Sequence, residues 1–148
     1  MEILAENRKA RFDYEILEKY EAGMELTGME AKAIRSGKCT MLGSFAKILG
    51  GEAYLVGASI SPYQPANTPK DYDPLRARKL LLTKKELEEL KAKEKVKGLT
   101  IVPVILYNKN GKIKLEVAVV RGKKSHDKRE TIKKRDTDRE TRREFKDR

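Results

Sequence analysis

Few residues of this chain could carry out chemistry. It contains one histidine, His126, and one cysteine, Cys39. The two lie in different predicted elements, so a Cys–His or Ser–His nucleophile pair would need an unexpected meeting of distant segments. One cysteine and one histidine also cannot supply the four ligands of a Cys/His zinc site, and a lone cysteine forms no internal disulfide. We therefore expect a protein that is not an enzyme and that has no metal site and no cofactor.

The net charge indicates a polyanionic partner. The chain has 148 residues, with 34 Lys and Arg against 23 Asp and Glu, which gives a formal net charge of +11 at pH 7. Clustered Lys and Arg side chains bind phosphate backbones because binding releases condensed counterions. The apolar runs are far shorter than the roughly 20 residues that span a membrane, and no signal-peptide pattern opens the chain. We therefore expect a cytoplasmic protein that binds nucleic acid and contacts no membrane.

The positive charge is concentrated at the C-terminus. Residues 121–148 hold 13 Lys and Arg against 7 Asp and Glu. From Ser125 onward, Ile132 and Phe145 are the only sizeable apolar side chains, so this segment cannot bury enough surface to offset the entropy of ordering it. Acid and base pairs at helical spacing would still permit a helix once phosphates neutralise the basic side chains. The sequence predicts two parts: a folded domain over 1–124 and a basic tail over 125–148, disordered when free.

The first part of the folded domain has the patterns of a strand and a short helix. Alternating apolar positions predict a strand over 14–26, with a bulge near Gly23. Good helix formers predict a helix over 29–36 that ends at Gly37, where glycine favours a left-handed cap. These elements bring Glu21 and Glu30 close to each other in the chain.

Two hairpins follow from turn residues between alternating apolar segments. The first pairs 45–49 with 53–60 across Gly50-Gly51. The second pairs 100–107 with 112–120, and in its second arm the residues Ile113, Leu115, Val117 and Val119 face one way while Lys112, Lys114 and Glu116 face the other.

The segment between the hairpins is predicted as a loop followed by two helices. Its three prolines indicate an irregular loop over 61–73. The Asp-Pro pair at 73–74 predicts a helix over 73–82, on which Arg76 and Lys79 would share one side and straddle a phosphate backbone. A Thr-Lys-Lys-Glu capping box predicts a second helix over 83–98.

Strands separated by short helices, without a regular β-α-β alternation, favour a small antiparallel sheet or barrel. The pattern alone leaves OB-like, SH3-like and split-sheet folds open. A closed OB-like barrel has no long free edge, and barrels of this kind commonly bind nucleic acid.

Seven motifs, read in order, resemble the bacterial SsrA-binding protein (small protein B) family. The resemblance extends from Asn7 to about Arg135 and is carried by the sequences NRKAR at 7–11, YEAG at 20–23, GMEAK at 28–32, ISPY at 60–63, DPLRARKLLL at 73–82, KGLTIVP at 97–103 and GKKSHDKR at 122–129. Three positions depart from the usual family pattern: Phe12, Met29 and Gly43.

The resemblance implies a fold and a set of partners. The fold would be mainly β with short helices, an OB-fold antiparallel β-barrel that carries a basic C-terminal tail, which becomes helical on the ribosome. The partners would be transfer-messenger RNA and the small-subunit rRNA of the ribosome, with elongation factor Tu and, indirectly, alanyl-tRNA synthetase. The protein would be a monomer in that complex and would act in rescuing stalled ribosomes.

The resemblance also implies site residues. The RNA-binding set would be Asn7, Arg8, Lys9, Arg11, Glu21, Glu30, Lys32, Arg35, Arg76, Arg78, Lys79, Leu81, Gly122, Lys123 and Lys124. The contacts to the ribosomal decoding site would be His126, Asp127, Lys128 and Arg129. Within the first set, the carboxylates of Glu21 and Glu30 would accept hydrogen bonds from base amino groups or 2′-hydroxyls and so supply discrimination.

A second function class fits the same residues. A structural protein of the small ribosomal subunit could also combine an OB core with a basic extension. Both proteins would bind RNA with a steep salt dependence, so RNA affinity alone does not separate them. Stoichiometry does, because a structural protein accompanies every small subunit.

Overall fold

A computed structural model describes residues 2–122 of the chain. Its strands are β1 Glu2–Glu6, β2 Tyr14–Met24, β3 Cys39–Thr40, β4 Phe45–Leu49, β5 Glu52–Val56, β6 Ser59–Ile60, β7 Arg78–Leu81, β8 Leu99–Lys109 and β9 Lys112–Gly122. Its α-helices are α1 Arg8–Asp13, α2 Gly28–Arg35 and α3 Lys84–Glu94, and a single 3-10 turn covers Pro65–Asn67. The predicted tail, 125–148, lies outside the described residues.

Six of the strands close into an antiparallel barrel. The hydrogen-bonded order is β8, β4, β5, β7, β2 and β9, and β9 pairs again with β8. β1 adds to the later part of β8 through Ile3 opposite Tyr107, while the early part of β8 pairs with β4 through Ile101 opposite Ala46. The prediction of a mainly β barrel with short helices is confirmed.

Two apolar clusters hold the barrel together. The larger fills its interior and includes Leu55, Leu80, Leu106, Leu115 and Val117, each at most 2% exposed. The smaller lies outside the barrel wall, where Ala10 of α1 covers side chains of β8 and β9, namely Val102, Val104, Ala118 and Val120. The helix α1 therefore packs on the surface of strands β2, β9 and β8 that points away from the barrel interior. We call this surface the outer face.

Local sequence signals account for most of the element boundaries. Gly50 and Gly51 have φ of 57° and 83° in the turn between β4 and β5, as the glycine pair predicts. Thr83 and Glu86 form the predicted capping box of α3, which ends at Glu94 rather than near Gly98. The hairpin of β8 and β9 is also confirmed, with Ile105 opposite Glu116 and Asn108 opposite Ile113.

The helix predicted over 73–82 is wrong. The Asp73 carboxylate accepts a hydrogen bond from the amide of Leu75 at 2.9 Å, so Asp73 stabilises a turn rather than a helix. The chain then enters β7, which pairs Lys79 with Tyr54 of β5 and Leu81 with Gly23 of β2. β7 closes the barrel, and these long-range pairs outweigh the local helix signal. Arg76 and Lys79 therefore do not share the side of a helix.

Smaller features also differ from the sequence prediction. The arm predicted over 53–60 is two strands, β5 and β6, which are separated by residues 57 and 58. The bulge of β2 lies between Ile16 and Glu18 and not near Gly23. The strand β1 and the helix α1 were not predicted. β1 depends on pairing with β8, and α1 has six residues, too few for a clear helical period.

Candidate nucleic-acid interface

The helix α1 supplies exposed cations at one end of the outer face. Arg8, Lys9 and Arg11 are exposed on this helix, and Arg8 makes a weak contact of 3.5 Å with Glu6. Asn7 has a different position from the one predicted, because it is 6% exposed and serves the fold. Its side chain caps the amide of Ala10 and donates to the carbonyl of Pro103 at 2.9 Å. Asn7 thus positions the basic helix rather than offering its own amide to a ligand.

The other end of the outer face contains a groove with lysines on its wall. The groove has a volume of about 330 Å³ and is lined by Gly23, Met24, Leu26, Ala31, Arg35, Leu81, Lys112, Ile113 and Lys114. We call it the basic groove. Lys112 and Lys114 alternate along β9 with residues of the barrel core, so they point away from the core on the same face as Ala118 and Val120. The face that carries α1 therefore continues into this groove.

Lys112 and Lys114 were absent from the predicted RNA-binding set. The alternation of β9 places both lysines on the polar side of the strand. It does not reveal that they line one groove with Leu81 and Arg35. That juxtaposition depends on the pairing of β2 with both β7 and β9. Register between distant strands, and not local pattern, is the signal that locates them.

Leu81 and Gly23 form the apolar floor of the basic groove. They are paired across β7 and β2, and a Cβ atom added at Gly23 would lie 3.3 Å from the Cβ atom of Leu81. Leu81 is 49% exposed although it is a large apolar side chain. The absence of a side chain at Gly23 thus lets the exposed Leu81 side chain pack closely against its backbone, and an exposed apolar side chain suits the face of an unpaired base.

Arg35 is fixed at the edge of the groove. Its guanidinium donates from Nη2 to the carbonyl of Gly111 at 3.0 Å, and this bond ties α2 to the turn between β8 and β9. The remaining guanidinium N–H groups face solvent, since Arg35 is exposed. Lys32, one turn earlier on α2, lines a second cavity of about 360 Å³ with Met29, Tyr63 and Tyr72.

Glu21 lies on the outer face two residues before Gly23. Its Oε2 accepts hydrogen bonds from the hydroxyl of Tyr107 at 2.5 Å and from Nζ of Lys109 at 3.2 Å. These two bonds, together with the charge of Lys114, lower the pKa of the Glu21 carboxyl. Burial and the bond to Glu21 raise the pKa of the Tyr107 hydroxyl. The phenol therefore stays protonated and is the hydrogen-bond donor to Glu21. The Glu21 carboxylate is therefore ionised, fixed on one side and 42% exposed.

Glu30 and Arg78 form an ion pair inside the protein. Their side chains are 1% and 0% exposed, and Arg78 donates from Nη2 and Nε to Oε2 of Glu30 at 2.6 and 3.0 Å. Arg76 bonds the other carboxylate oxygen, and the hydroxyl of Tyr72 lies 3.3 Å from Oε2. Both side chains are enclosed and committed to each other, so they stabilise the fold, and their place in the RNA-binding set stays a prediction. The pair attaches the start of β7 to α2.

Two more predicted cations already have acidic partners. Arg76, with a side chain 43% exposed, is paired with Glu30. Lys79 lies 3.9 Å from Glu52 across β7 and β5. Both remain open to solvent on one side, but each brings less net positive charge than the sequence alone indicates.

The last described residue, Gly122, pairs with Tyr14 immediately after α1. A Cβ atom added at Gly122 would meet no atom of the other described residues within 4 Å, so nothing in residues 2–121 covers the backbone there. The other predicted site residues near the C-terminus lie outside the described residues, namely Lys123, Lys124, His126, Asp127, Lys128 and Arg129. The described chain thus ends beside the basic helix α1.

The three departures from the family pattern fall at separate places. Met29 lines the second cavity beside α2. Gly43 has φ of 76°, a conformation that favours glycine, and it lies beside Ser44 in the turn that enters β4. Phe12 is half-buried in α1. None of these residues lines the basic groove.

Within residues 2–122, no group of three or more His, Cys, Asp or Glu side chains is arranged to hold a metal ion. No helix in that part of the chain is both long and apolar enough to cross a membrane.

Comparison with known proteins identifies close relatives over the full length. The family model described as "SmpB protein" matches residues 4–147. The SsrA-binding protein of Thermosynechococcus vestitus is 50% identical over 148 residues, which cover 100% of this chain and 97% of that protein. The SsrA-binding protein of Oleidesulfovibrio alaskensis is 51% identical over 143 residues, which cover 97% of this chain and 92% of that protein.

Solved structures also match, and the following is one of them. It is described as "tmRNA-SmpB: a journey to the center of the bacterial ribosome", and its matching chain has 46% sequence identity and a TM-score of 0.68. The match covers 86% of this chain and 93% of the other.

Proposed function

Because this chain belongs to the SmpB protein family, we propose that it is a non-enzymatic adaptor that binds the tRNA-like domain of transfer-messenger RNA (tmRNA) and delivers it to stalled ribosomes for trans-translation. The observation that carries the proposal is the likeness of sequence and fold to the chain of the tmRNA-SmpB structure. The adaptor would act in the cytoplasm, where ribosomes are.

The outer face supports RNA as the ligand. It carries cations at both ends. Arg8 and Lys9 on α1 and Lys112 at the basic groove are exposed, and Lys114 beside it in the groove is half-buried. Cations spread along one face follow a phosphate backbone better than a single cluster does, because consecutive phosphates are several ångströms apart. These contacts would supply affinity and little sequence discrimination.

Glu21 and Leu81 support selectivity for an unpaired region of that RNA. A carboxylate repels phosphate but accepts hydrogen bonds from base amino groups and 2′-hydroxyls. The Leu81 side chain, which packs closely against the backbone of Gly23, provides an apolar surface for the face of a base. A folded RNA that exposes unpaired bases, such as a tRNA-like domain, offers both kinds of group, whereas a regular duplex hides its bases.

The residues beyond Gly122 would engage the ribosome. Because Gly122 lies beside α1, the basic residues Lys123 and Lys124 would extend the RNA-binding face before the tail begins. We propose that 125–148 is a separate element that occupies the empty mRNA path of the small subunit, with His126 and its neighbours Asp127, Lys128 and Arg129 at the decoding site. A ring such as that of His126 can stack on an unpaired base.

The further partners follow from this role. The small-subunit rRNA would contact the tail, and elongation factor Tu would bind the acceptor arm of the same RNA. Alanyl-tRNA synthetase would be an indirect partner that charges the RNA, and one copy of the protein would act in each complex. The competing role of a structural ribosomal protein predicts one copy on every small subunit, whereas an adaptor would be substoichiometric and would co-purify with tmRNA.

Truncation after Lys124 tests the proposal. The shortened protein should bind the tRNA-like domain of tmRNA with nearly the affinity of the full chain, yet it should fail to support tag addition to a nascent peptide on a message without a stop codon. Full tagging by the shortened protein would contradict the role given to the tail. Loss of RNA binding in parallel with tagging would contradict the division into two parts.

A further inference from the structure

We propose that Tyr107 and Lys109 are positioning residues for Glu21, which they hold so that one carboxylate oxygen alone is presented to a hydrogen-bond donor of the bound RNA. The inference rests on the proposed function, because it assumes that RNA lies against the outer face. It adds a specific chemical selection: Glu21 would read a single amino or hydroxyl group.

The geometry of the Glu21 carboxylate carries the proposal. Tyr107 and Lys109 both donate to the same oxygen, Oε2, at 2.5 and 3.2 Å. The other oxygen, Oε1, accepts no hydrogen bond from any side chain or amide within residues 2–122. One oxygen is therefore committed to the protein, and the other remains for a ligand.

Tyr107 is well suited to fix a neighbouring side chain. It is 6% exposed, so its ring is held by packing and its hydroxyl has a defined position. Tyr107 lies on β8 opposite Lys114 of β9, and Glu21 lies on β2 opposite Glu116 of β9. The phenol therefore extends across β9 to reach Glu21, and the bond connects the two outer strands of this part of the sheet.

Five titratable groups face Glu21 from the three strands of the outer face. They are Tyr107 and Lys109 from β8, Lys114 and Glu116 from β9, and Lys19 from β2. Glu116 is a like charge directly across the strand pair, but Nζ of Lys19 lies 3.8 Å from its Oε1. The hydrogen bonds from Tyr107 and Lys109, together with the charges of Lys109 and Lys114, lower the pKa of the Glu21 carboxyl. An ionised carboxylate accepts hydrogen bonds and cannot donate one, so it selects donors on the RNA.

The arrangement explains how one acid can raise selectivity on a basic surface. A freely rotating carboxylate would accept bonds from many orientations and would contribute little discrimination. A carboxylate held at Oε2 offers Oε1 in one direction, because rotation about the last torsion would break the bond to Tyr107. Pre-organisation of this kind strengthens the binding of an RNA whose donor is correctly placed, and it does not strengthen the binding of other RNAs.

The test uses Tyr107→Phe in the full-length chain, with the transcribed tRNA-like domain of tmRNA and a tRNA of equal length as the two probes. The loss of one charge-assisted hydrogen bond should reduce the ratio of the two affinities by about 5- to 10-fold. The pKa of the Glu21 carboxyl, followed by NMR in the absence of RNA, should rise. Lys109→Gln changes an exposed side chain outside the core, so the barrel should stay folded. This variant should also lower the affinity ratio and raise the pKa of Glu21.

Two further variants separate positioning from other causes. In a Glu21→Ala background, Tyr107→Phe should produce no additional loss of selectivity, because its effect passes through the carboxylate. Tyr20→Phe is the matched control, since the hydroxyl of Tyr20 also bonds carboxylates, those of Glu18 at 2.7 Å and Glu89 at 3.0 Å, away from the basic groove. It should leave the affinity ratio unchanged.

The outcomes distinguish this inference from the proposed function. If Glu21→Ala lowers selectivity while Tyr107→Phe and Lys109→Gln do not, the positioning role is refuted and tmRNA binding stands. An equal loss from Tyr107→Phe with and without Glu21 would also refute it, because Tyr107 would then act on its own. If the unaltered chain does not prefer the tRNA-like domain at all, the proposed function itself fails.

Discussion

The ion pair between Glu30 and Arg78 predicts a large and specific loss of stability. The change is Glu30→Gln, which keeps the shape of the side chain and removes its charge. Arg78 would retain hydrogen bonds to the carbonyls of Ala58 and Pro74, both at 2.9 Å, but it would lose its countercharge at a site that is 0% exposed. Breaking one side of a buried pair typically costs about 3–5 kcal/mol. Because the two carbonyls remain, we expect the lower end, about 3 kcal/mol.

The assay is urea unfolding at pH 7, followed by circular dichroism. The matched control is Glu15→Gln, which removes the negative charge from the 2.8 Å pair with Arg121, whose two side chains are 54% and 57% exposed. An exposed pair of this kind contributes about 0–1 kcal/mol. Equal losses from the two variants, or a loss below about 1 kcal/mol for Glu30→Gln, would refute the reasoning that burial makes this pair important.

The same pair predicts how stability depends on pH. Burial alone would raise the pKa of the Glu30 carboxyl, but the amide of Thr27 and the guanidinium groups of Arg78 and Arg76 outweigh burial and lower it to about 2. A folded-state pKa below the unfolded value of 4.5 stabilises the fold above that pH, and the contribution disappears as the pH falls towards 2. Between pH 5 and 2.5, the free energy of unfolding should therefore fall less in Glu30→Gln than in the unaltered chain.

Three other variants have simpler outcomes. Gly57→Ala should destabilise the fold by about 1–3 kcal/mol in thermal unfolding, because Gly57 has φ of 86° and the new Cβ would lie 3.4 Å from Cα of Ser44; an unchanged melting temperature would contradict this. Thr83→Ala removes the cap of α3 and should cost about 1 kcal/mol in urea, with a loss near zero as the contrary result. His126→Ala should reduce tagging of a nascent peptide with little change in affinity for tmRNA, and a parallel loss of both would show that His126 belongs to the RNA-binding face.

Several elements follow from local sequence because their signals are local. The capping boxes of α2 and α3 each span four residues, and the hairpin of β8 and β9 needs only alternation and a turn. Leu115 and Val117 face the core as the alternation predicts. Sequence reasoning can read such features directly.

The misjudged features depend on contacts between distant residues. Glu30 and Arg78 are 48 positions apart, and a charged residue is expected at the surface unless its partner is known. The Asp-Pro pair before β7 is a sound helix start by itself, but closing the barrel requires a strand there. Lys112 and Lys114 enter the candidate site only because β2 pairs with both β7 and β9.

The central claim is that the outer face, and the basic groove in particular, binds tmRNA. The most direct measurement is the affinity of the full chain for the tRNA-like domain of tmRNA over a range of salt concentrations, for Lys112→Ala/Lys114→Ala and for the control Lys84→Ala/Lys85→Ala on α3, which removes the same charge away from the groove. We predict that the groove pair weakens binding and flattens the salt dependence by about one unit for each lost phosphate contact, while the control pair changes neither. Equal effects from both pairs, or unaltered binding by the groove pair, would contradict the claim.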